Sequence, residues 1–220
     1  MDYKLLGKTG IKVSELCLGT MTFGTDWNFG SDKEESQRVF DAFVNAGGNF
    51  FDTANIYTTG TSEKYLGEFM QSERENLVIA SKYSLTESNK INLSGNSRKN
   101  MIQSVEGSLK RLGTDYIDLY YVHAWDFLVA PEELMRNLEY LLASGKILSI
   151  GVSDTPAYIT SRCNTLAELR GWNQFAAYQV EYCLTERTAD REIIPLCEHD
   201  DMLFCGFGPL AAGLLSGKYL

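Results

Sequence analysis

The feature that most constrains the fold is an alternation of two hydrophobic periods along the chain. Short apolar runs rich in strand-forming residues recur at residues 15–18, 49–51, 77–81, 116–122, 147–152, 175–180 and 202–207. Between these runs lie amphipathic stretches with a helical period, among them residues 33–46, 98–112 and 131–143. Strands that alternate with helices are typical of parallel βαβ units, so the sequence predicts an α/β protein.

Two architectures fit such a pattern: an open doubly wound sheet and a closed barrel. A dinucleotide-binding open sheet carries a GxGxxG motif after its first strand, whereas the first strand here is followed by Gly19-Thr20-Met21. Nearly every predicted strand instead ends at a polar residue: Thr20, Asp52, Lys82, His123, Ser153 or Gln179. Polar residues at the carboxyl ends of successive parallel strands are how barrel enzymes build their sites. The pattern therefore favours a (β/α)8 TIM barrel.

The number of predicted strands falls one short of that architecture. Seven βα units are found, and a TIM barrel has eight. We therefore expect residues 1–220 to form a single, C-terminally incomplete barrel domain that lacks the eighth βα unit. Within it, residues 1–14 are expected to form a β-hairpin that covers the amino-terminal end of the barrel, with its turn at residues 7–10.

Composition narrows the classes of partner. The formal charge of −9, from 29 acidic and 20 basic residues, argues against a nucleic-acid partner but permits a small anionic cofactor. No apolar run of about 18 residues and no apolar leader are present, so we expect a cytoplasmic protein without a membrane partner. The five cysteines form no CxxC pair and are expected to be buried reduced thiols rather than disulfides or metal ligands. Composition does not indicate the oligomeric state.

Four titratable residues are expected to meet at the carboxyl ends of the strands. Asp52, Lys82 and His123 end the second, third and fourth runs, and Tyr57 follows Asp52 in a loop. A free tyrosine has a pKa near 10, and a nearby lysine ammonium would lower that pKa by about one to two units. The aspartate would keep the lysine charged, and a neutral histidine could donate a hydrogen bond to a carbonyl oxygen. Together the four residues could deliver a proton.

The presence of each of these residues can also be explained by a structural role, without any role in catalysis. Asp52 could cap a turn, and Lys82 could extend over the surface with its ammonium in water. Tyr57 could pack in its loop, and His123 could be a hydrogen-bonded structural residue. The residue types alone therefore leave both interpretations open.

The order and spacing of several motifs resemble those of the aldo-keto reductase family. The matching segments are LCLGTMTFG at 16–24, FDTANIY at 51–57, ASK at 80–82, YVH at 121–123, GVS at 151–153, YQVEY at 178–182 and GPLAAGLLSGKY at 208–219. The resemblance spans the whole chain and is strongest to the bacterial and potassium-channel β-subunit-like branch.

The resemblance implies roles for individual residues. Tyr57 would donate a proton to a carbonyl oxygen, Lys82 and Asp52 would tune it, and His123 would orient the carbonyl. An NADP(H) cofactor would contact Thr20, Met21, Asp52, Ser153, Asp154, Gln179, Phe207, Gly208, Pro209, Leu210, Ala211, Ala212 and Lys218. Phe23, Trp27 and Trp125 would line the substrate pocket together with Tyr57 and His123.

Three positions depart from the family pattern. Asp154 stands where the family commonly has Asn or Arg, Phe207 replaces Tyr or Trp, and Gly208 replaces a frequent Ser. The preference for NADPH over NADH is implied by the resemblance alone. In this family the eighth βα unit contacts the 2′-phosphate of NADPH, and the seven predicted units do not include it. The expected function is reduction of aldehydes or ketones to alcohols. The alternatives are a nucleotide-binding, redox-sensing regulatory subunit with little turnover, and a fragment that binds no cofactor. The substrate itself is not predicted.

Overall fold

The structure is a computed structural model that describes residues 1–219. Its strands are β1 (Tyr3–Leu5), β2 (Lys12–Ser14), β3 (Cys17–Gly19), β4 (Phe50–Asp52), β5 (Val78–Tyr83), β6 (Ile117–Val122), β7 (Ile147–Ser153), β8 (Ala177–Glu181) and β9 (Leu203–Phe207). Its α-helices are α1 (Lys33–Asn45), α2 (Thr61–Phe69), α3 (Arg98–Leu112), α4 (Pro131–Ala143), α5 (Ala157–Arg170) and α6 (Ile193–Asp200). The last residue of the predicted domain, Leu220, lies outside the described residues.

The main sheet has seven strands in the order β3-β4-β5-β6-β7-β8-β9, and every neighbouring pair is parallel. Each strand therefore pairs with the next strand along the chain, with a crossover between them, as in a barrel. Within residues 1–219, β3 and β9 form the two edges of this curled sheet. The predicted α/β class is confirmed, and the sheet corresponds to seven of the eight strands of a (β/α)8 barrel of the type predicted.

Local sequence signals explain where the main helices begin. The Asp32 carboxylate caps α1 by accepting a hydrogen bond from the Glu35 amide at 2.9 Å, and Ser97 caps α3 through the Asn100 amide at 3.3 Å. Pro131 is the first residue of α4, where its missing amide hydrogen costs nothing. The predicted bounds of α3 and α4 agree with the structure, and α1 ends one residue before its predicted end.

Two apolar layers hold the sheet. On its outer side, strand residues such as Phe51 and Ile79 pack with residues of the helices. On its inner side, Leu6 and Val13 of the hairpin pack with a set of residues at or near the strand starts: Phe50, Val78, Leu119, Ala176 and Ala177. The hairpin residues therefore pack beside residues at or near the strand starts, whereas the polar residues lie at the carboxyl-terminal ends of the strands.

The cysteines differ in part from expectation. Cys163, Cys183 and Cys197 are buried free thiols, but Cys17 is exposed and Cys205 is half-buried. Cys17 is exposed because it lies on β3, which pairs with a neighbour on one side only within residues 1–219. In the same part of the chain, no helix is both long and apolar enough to cross a membrane.

Candidate active site

The polar residues predicted to form a site all lie at the carboxyl-terminal end of the sheet. Asp52 is the last residue of β4, Lys82 is near the end of β5, and His123 directly follows β6. Ser153 ends β7 and pairs in register with Gln179 of β8. Because successive parallel strands end at the same side of the sheet, these side chains converge on one opening.

Lys82 is the centre of this group. Its side chain is fully buried, and its Nζ donates hydrogen bonds to Asp52 Oδ1, to the Thr53 carbonyl at 3.0 Å and to Tyr57 Oη at 3.1 Å. An ammonium has three donors, so these three partners use its full capacity. Lys82 is thus in direct contact with both Asp52 and Tyr57.

The charges of this group follow from burial and pairing. Burial alone would lower the pKa of Lys82, but Asp52 and Tyr57 raise that pKa above its ordinary value. Burial raises the pKa of Tyr57, and the opposing effect of Lys82 is smaller, so the net shift is upward. The sequence argument predicted a lowered pKa for Tyr57. It was wrong in direction because burial raises this pKa by more than the charge of the lysine lowers it.

His123 lies beside the tyrosine. The two ring centroids are 5.9 Å apart and the rings are nearly perpendicular, at 83°. Burial, and after it the charge of Lys82, lowers the pKa of His123 to about 3. Its Nδ1 is buried without a hydrogen-bond partner in the described residues. The imidazole is therefore neutral at physiological pH, and one ring nitrogen carries a proton that it can donate.

The loop that carries Tyr57 is held by hydroxyl groups that the sequence analysis did not single out. Thr58 Oγ1 donates to the Phe23 carbonyl at 2.6 Å and accepts from the Ser62 amide at 3.0 Å. Ser62 Oγ lies 2.8 Å from Thr20 Oγ1 and 2.9 Å from Thr53 Oγ1. The only available signal was the hydroxyl-rich run TTGTS after Tyr57.

The sequence analysis also did not identify Glu87 as a residue of the site. Its carboxylate accepts hydrogen bonds from Trp27 Nε1 and, at 3.0 Å, from Thr59 Oγ1. It thereby connects the loops that follow β3, β4 and β5. A glutamate in a polar loop gives no signal of such a role in the sequence.

The predicted nicotinamide contacts lie near this group, with some of their atoms already engaged. Gln179 Nε2 donates to Asp52 Oδ2 at 2.8 Å, and Thr20 Oγ1 donates to the Asp52 carbonyl at 3.0 Å. Ser153 is buried, and the neighbouring Asp154 has a left-handed backbone with φ of 38°. Burial and the charge of Glu181 raise the pKa of Asp154, against the opposing effect of Lys82. Met21 is exposed.

The segment after β9 contains several residues with a left-handed backbone and lies close to Lys218. Phe207, Pro209 and Leu210 lead into it, and Phe207 has an exposed ring. Gly208, Ala211, Ala212 and Gly213 have positive φ, with values of 68°, 47°, 52° and 96°. A Cβ added at Gly213 would lie 3.1 Å from Lys218 Nζ, so the ammonium lies close against the turn. Concave left-handed turns beside an ammonium are suited to phosphate groups.

Of the three aromatic residues predicted to line the substrate pocket, Trp27 lies beside Tyr57, whereas Trp125 and Phe23 are buried. Trp27 borders the site directly, with its ring centroid 6.5 Å from that of Tyr57. Trp125 is buried, and its ring lies 6.5 Å from that of Phe127. Phe23 packs in the core with its ring 6.2 Å from that of Phe69, so only its carbonyl faces the Tyr57 loop.

A curled parallel sheet with polar residues at its strand ends, in which each strand pairs with the next along the chain, is the architecture of a β/α-barrel protein. The chain belongs to the Aldo/keto reductase family, whose sequence profile matches residues 15–220.

Several fungal relatives are similar to this chain. A norsolorinic acid reductase of Emericella nidulans is 44% identical over 215 residues, which cover 93% of this chain and 56% of the relative. An NADP(+) aryl-alcohol dehydrogenase of Phanerodontia chrysosporium is 43% identical over 219 residues, which cover 93% of this chain and 57% of the relative. A norsolorinic acid reductase B of Dothistroma septosporum is 42% identical over 225 residues, which cover 97% of this chain and 57% of the relative. The chain thus spans just over half the length of these relatives. They do not support the expected resemblance to the bacterial and channel-β-subunit-like branch.

Proposed function

We propose that the protein is an NADP(H)-dependent oxidoreductase that reduces aldehyde or ketone carbonyls to alcohols, with Tyr57 as the general acid. The observation that carries this proposal is the contact between Tyr57 Oη and the buried Lys82 ammonium, 3.1 Å apart, with Asp52 behind the lysine. The names of the fungal relatives, which are reductases and an alcohol dehydrogenase, support the same chemistry.

The residues divide the work of proton transfer between them. The neutral His123 donates a hydrogen bond to the carbonyl oxygen and polarises it. Tyr57 Oη transfers its proton to that oxygen as the carbonyl carbon becomes tetrahedral, and the resulting phenolate is stabilised by Lys82. Asp52 keeps Lys82 charged and in place. Solvent returns the proton to Tyr57 after the alcohol leaves.

The residues present fit a nicotinamide dinucleotide. The exposed Phe207 ring offers a stacking surface, and the left-handed turn at Gly208, Ala211 and Ala212 with Lys218 offers amides and a cation for phosphates. Ser153, Asp154 and the amide oxygen of Gln179 would contact a carboxamide, and Met21 would contact a ribose. When bound, the reduced nicotinamide supplies the hydride.

We further propose that the preferred substrates are aromatic carbonyl compounds. The Trp27 ring faces both Tyr57 and, at 5.8 Å, the exposed Phe29 ring, so an aryl group at the site would lie against aromatic surface. The printed name of the Phanerodontia relative, an aryl-alcohol dehydrogenase, agrees with this class.

Cofactor binding and turnover test the proposal separately. A fluorescence titration with NADPH is expected to saturate, and NADPH oxidation is expected with benzaldehydes in preference to straight-chain aldehydes of equal carbon number. Tyr57→Phe should bind NADPH as the wild type does and lose turnover by about 100-fold or more. Absence of NADPH binding would reject the cofactor assignment, and wild-type turnover in Tyr57→Phe would reject the general acid.

A further inference from the structure

The turn after Tyr57 holds two consecutive β-branched residues in a left-handed backbone. Thr58 has φ and ψ of 45° and 46°, and Thr59 has 56° and 29°. A β-branched residue in this region is a conformational outlier, because its branched Cβ crowds the backbone. Such strain persists only where the surrounding structure enforces it, and it is concentrated at functional sites.

The two threonines differ in what surrounds them. Thr58 is fully buried, and its hydroxyl bonds both to the Phe23 carbonyl and to the Ser62 amide in the first turn of α2. Thr59 is exposed, and within residues 1–219 its hydroxyl bonds only to Glu87. The backbone strain is therefore shared, but the buried hydroxyl belongs to Thr58 alone.

The loop that follows β3 closes against the same hydroxyl. A Cβ added at Gly24 would lie 3.0 Å from Thr58 Oγ1, so the chain passes Thr58 at close range. Beyond Thr58, Ser62 Oγ donates to the Thr20 carbonyl at 2.7 Å and joins the ends of β3 and β4 to α2. Thr58 is thus the link between the Tyr57 turn and a fully buried hydroxyl network.

We infer that Thr58 is a positioning residue whose hydroxyl fixes the turn that places Tyr57 Oη against Lys82. A glycine would adopt the same backbone without strain, but it could not bond to the Phe23 carbonyl or to the Ser62 amide. The hydroxyl, rather than the backbone preference, is therefore what this position supplies. The catalytic part of this inference depends on the proposed reductase function, whereas the structural part does not.

The test compares Thr58→Val, Thr58→Gly and Thr58→Ser with the matched controls Thr59→Val and Thr59→Gly. Val keeps the shape and removes the hydroxyl, Gly removes both strain and hydroxyl, and Ser keeps the hydroxyl. We expect kcat to fall on the order of 10- to 100-fold in Thr58→Val and Thr58→Gly, with NADPH affinity and the carbonyl KM within about twofold of the wild type. Thr58→Ser and both Thr59 variants should keep kcat within about threefold of the wild type.

Thr58→Gly keeps the test decisive if Thr58→Val fails to fold, because glycine adopts the left-handed backbone of this position without strain. If Thr58→Gly keeps wild-type kcat, the inference is overturned whatever the behaviour of Thr58→Val.

A readout without turnover separates this inference from the proposed function. Protein labelled with 3-fluorotyrosine gives a ¹⁹F resonance for Tyr57, assigned by its absence in Tyr57→Phe. That resonance should shift or broaden in Thr58→Val and Thr58→Gly and match the wild type in Thr58→Ser. A wild type without reductase activity would reject the proposed function, and the ¹⁹F result would still decide the positioning role. Unchanged resonances in both hydroxyl-free variants would reject that role.

Discussion

At the scale of single residues, burial and charge act in opposite directions on the proton of Tyr57. Burial raises its pKa above the ordinary tyrosine value, while Lys82 favours the phenolate. The phenol therefore stays protonated across the neutral range, and the ammonium 3.1 Å away is in place to stabilise the phenolate once the proton leaves. For a proposed general acid in the direction of reduction, this is the required resting state.

The pH dependence of carbonyl reduction follows from these charges. Tyr57 must be protonated and its pKa is raised, and His123, with a pKa of about 3, stays neutral. We expect kcat for reduction to be level from about pH 5 to about pH 9 and to fall only above the ordinary tyrosine pKa of about 10. Steady-state rates across this range provide the measurement. An inflection between pH 6 and 7 that His123→Asn abolishes would show that the histidine titrates.

The lowered pKa of His123 also affects stability. In the unfolded chain its pKa is about 6.5, against about 3 in the folded protein, so the unfolded state binds a proton first as the pH falls. The free energy of unfolding should therefore decrease as the pH falls from about 6.5 towards about 3. Urea unfolding at a series of pH values should show a smaller decrease in His123→Asn than in the wild type.

At the scale of elements, α2 is tied to α3 and to β5 by a buried carboxylate. Glu63 of α2 is fully buried, accepts from Ser81 Oγ at 2.6 Å and pairs with Arg111 Nε of α3 at 2.6 Å. Ser81 is the residue before Lys82. The helix that begins after the Tyr57 turn is thereby fixed to the strand that carries the lysine.

Removing the arginine should be costly, because Glu63 would remain buried without its partner. We expect Arg111→Met to lower the free energy of unfolding by on the order of 3 kcal/mol and the double variant Arg111→Met/Glu63→Gln to lower it less. Denaturant unfolding of the single and double variants measures the difference. Arg162→Met, which breaks an exposed pair with Glu132, should cost about 1 kcal/mol or less. Equal costs for Arg111→Met and Arg162→Met would contradict this account.

The sequence predicted the elements that have strong local signals. The bounds of α3 and α4 follow from apolar spacing, the Ser97 cap and Pro131, and each βα unit places its strand next to the previous one. The sequence analysis gave no bounds for helix α5, whose apolar face is interrupted because Thr160 and Asn164 are buried beside Ile159 and Cys163. Tertiary packing, not periodicity, defines that helix.

The site was predictable only in part. Asp52, Lys82 and Tyr57 could be placed together because strand ends and family-like motifs both mark them. The hydroxyl network around Thr58 could not be predicted, because a left-handed threonine contradicts local propensity and its partners lie up to 35 residues away in the chain. The direction of the pKa shift of Tyr57 depends on burial, which is a property of the folded protein.

At the scale of the whole molecule, the two ends of the sheet have separate tasks. The hairpin packs against the amino-terminal end through Leu6, which is fully buried, while the site residues lie at the opposite end. Barrel proteins generally divide stability and chemistry in this way.

This division predicts that stability can be lowered without loss of chemistry. Leu6→Ala should reduce the free energy of unfolding by about 2–5 kcal/mol, because it leaves a cavity between the hairpin and the sheet. Reductase kcat per folded molecule should stay at the wild-type value. Chemical denaturation and active-site titration together give both quantities. A proportional loss of kcat would show that the two ends are coupled.

The pairing of Lys82 with Asp52 has a consequence for the effect of salt. The ammonium and the carboxylate cancel, and Tyr57 and His123 are neutral near pH 7, so the centre of the site has no net charge there. Dissolved ions screen the interaction between two separated charges, with a screening length of about 8 Å at physiological ionic strength. A centre without net charge and an uncharged carbonyl compound have little charge–charge interaction, so added salt should have little effect on it. We expect the catalytic rate constant at saturating cofactor to be the same in dilute buffer and in molar sodium chloride. The affinity for the phosphate-bearing dinucleotide, which would be held by the solvent-exposed Lys218, should change with added salt.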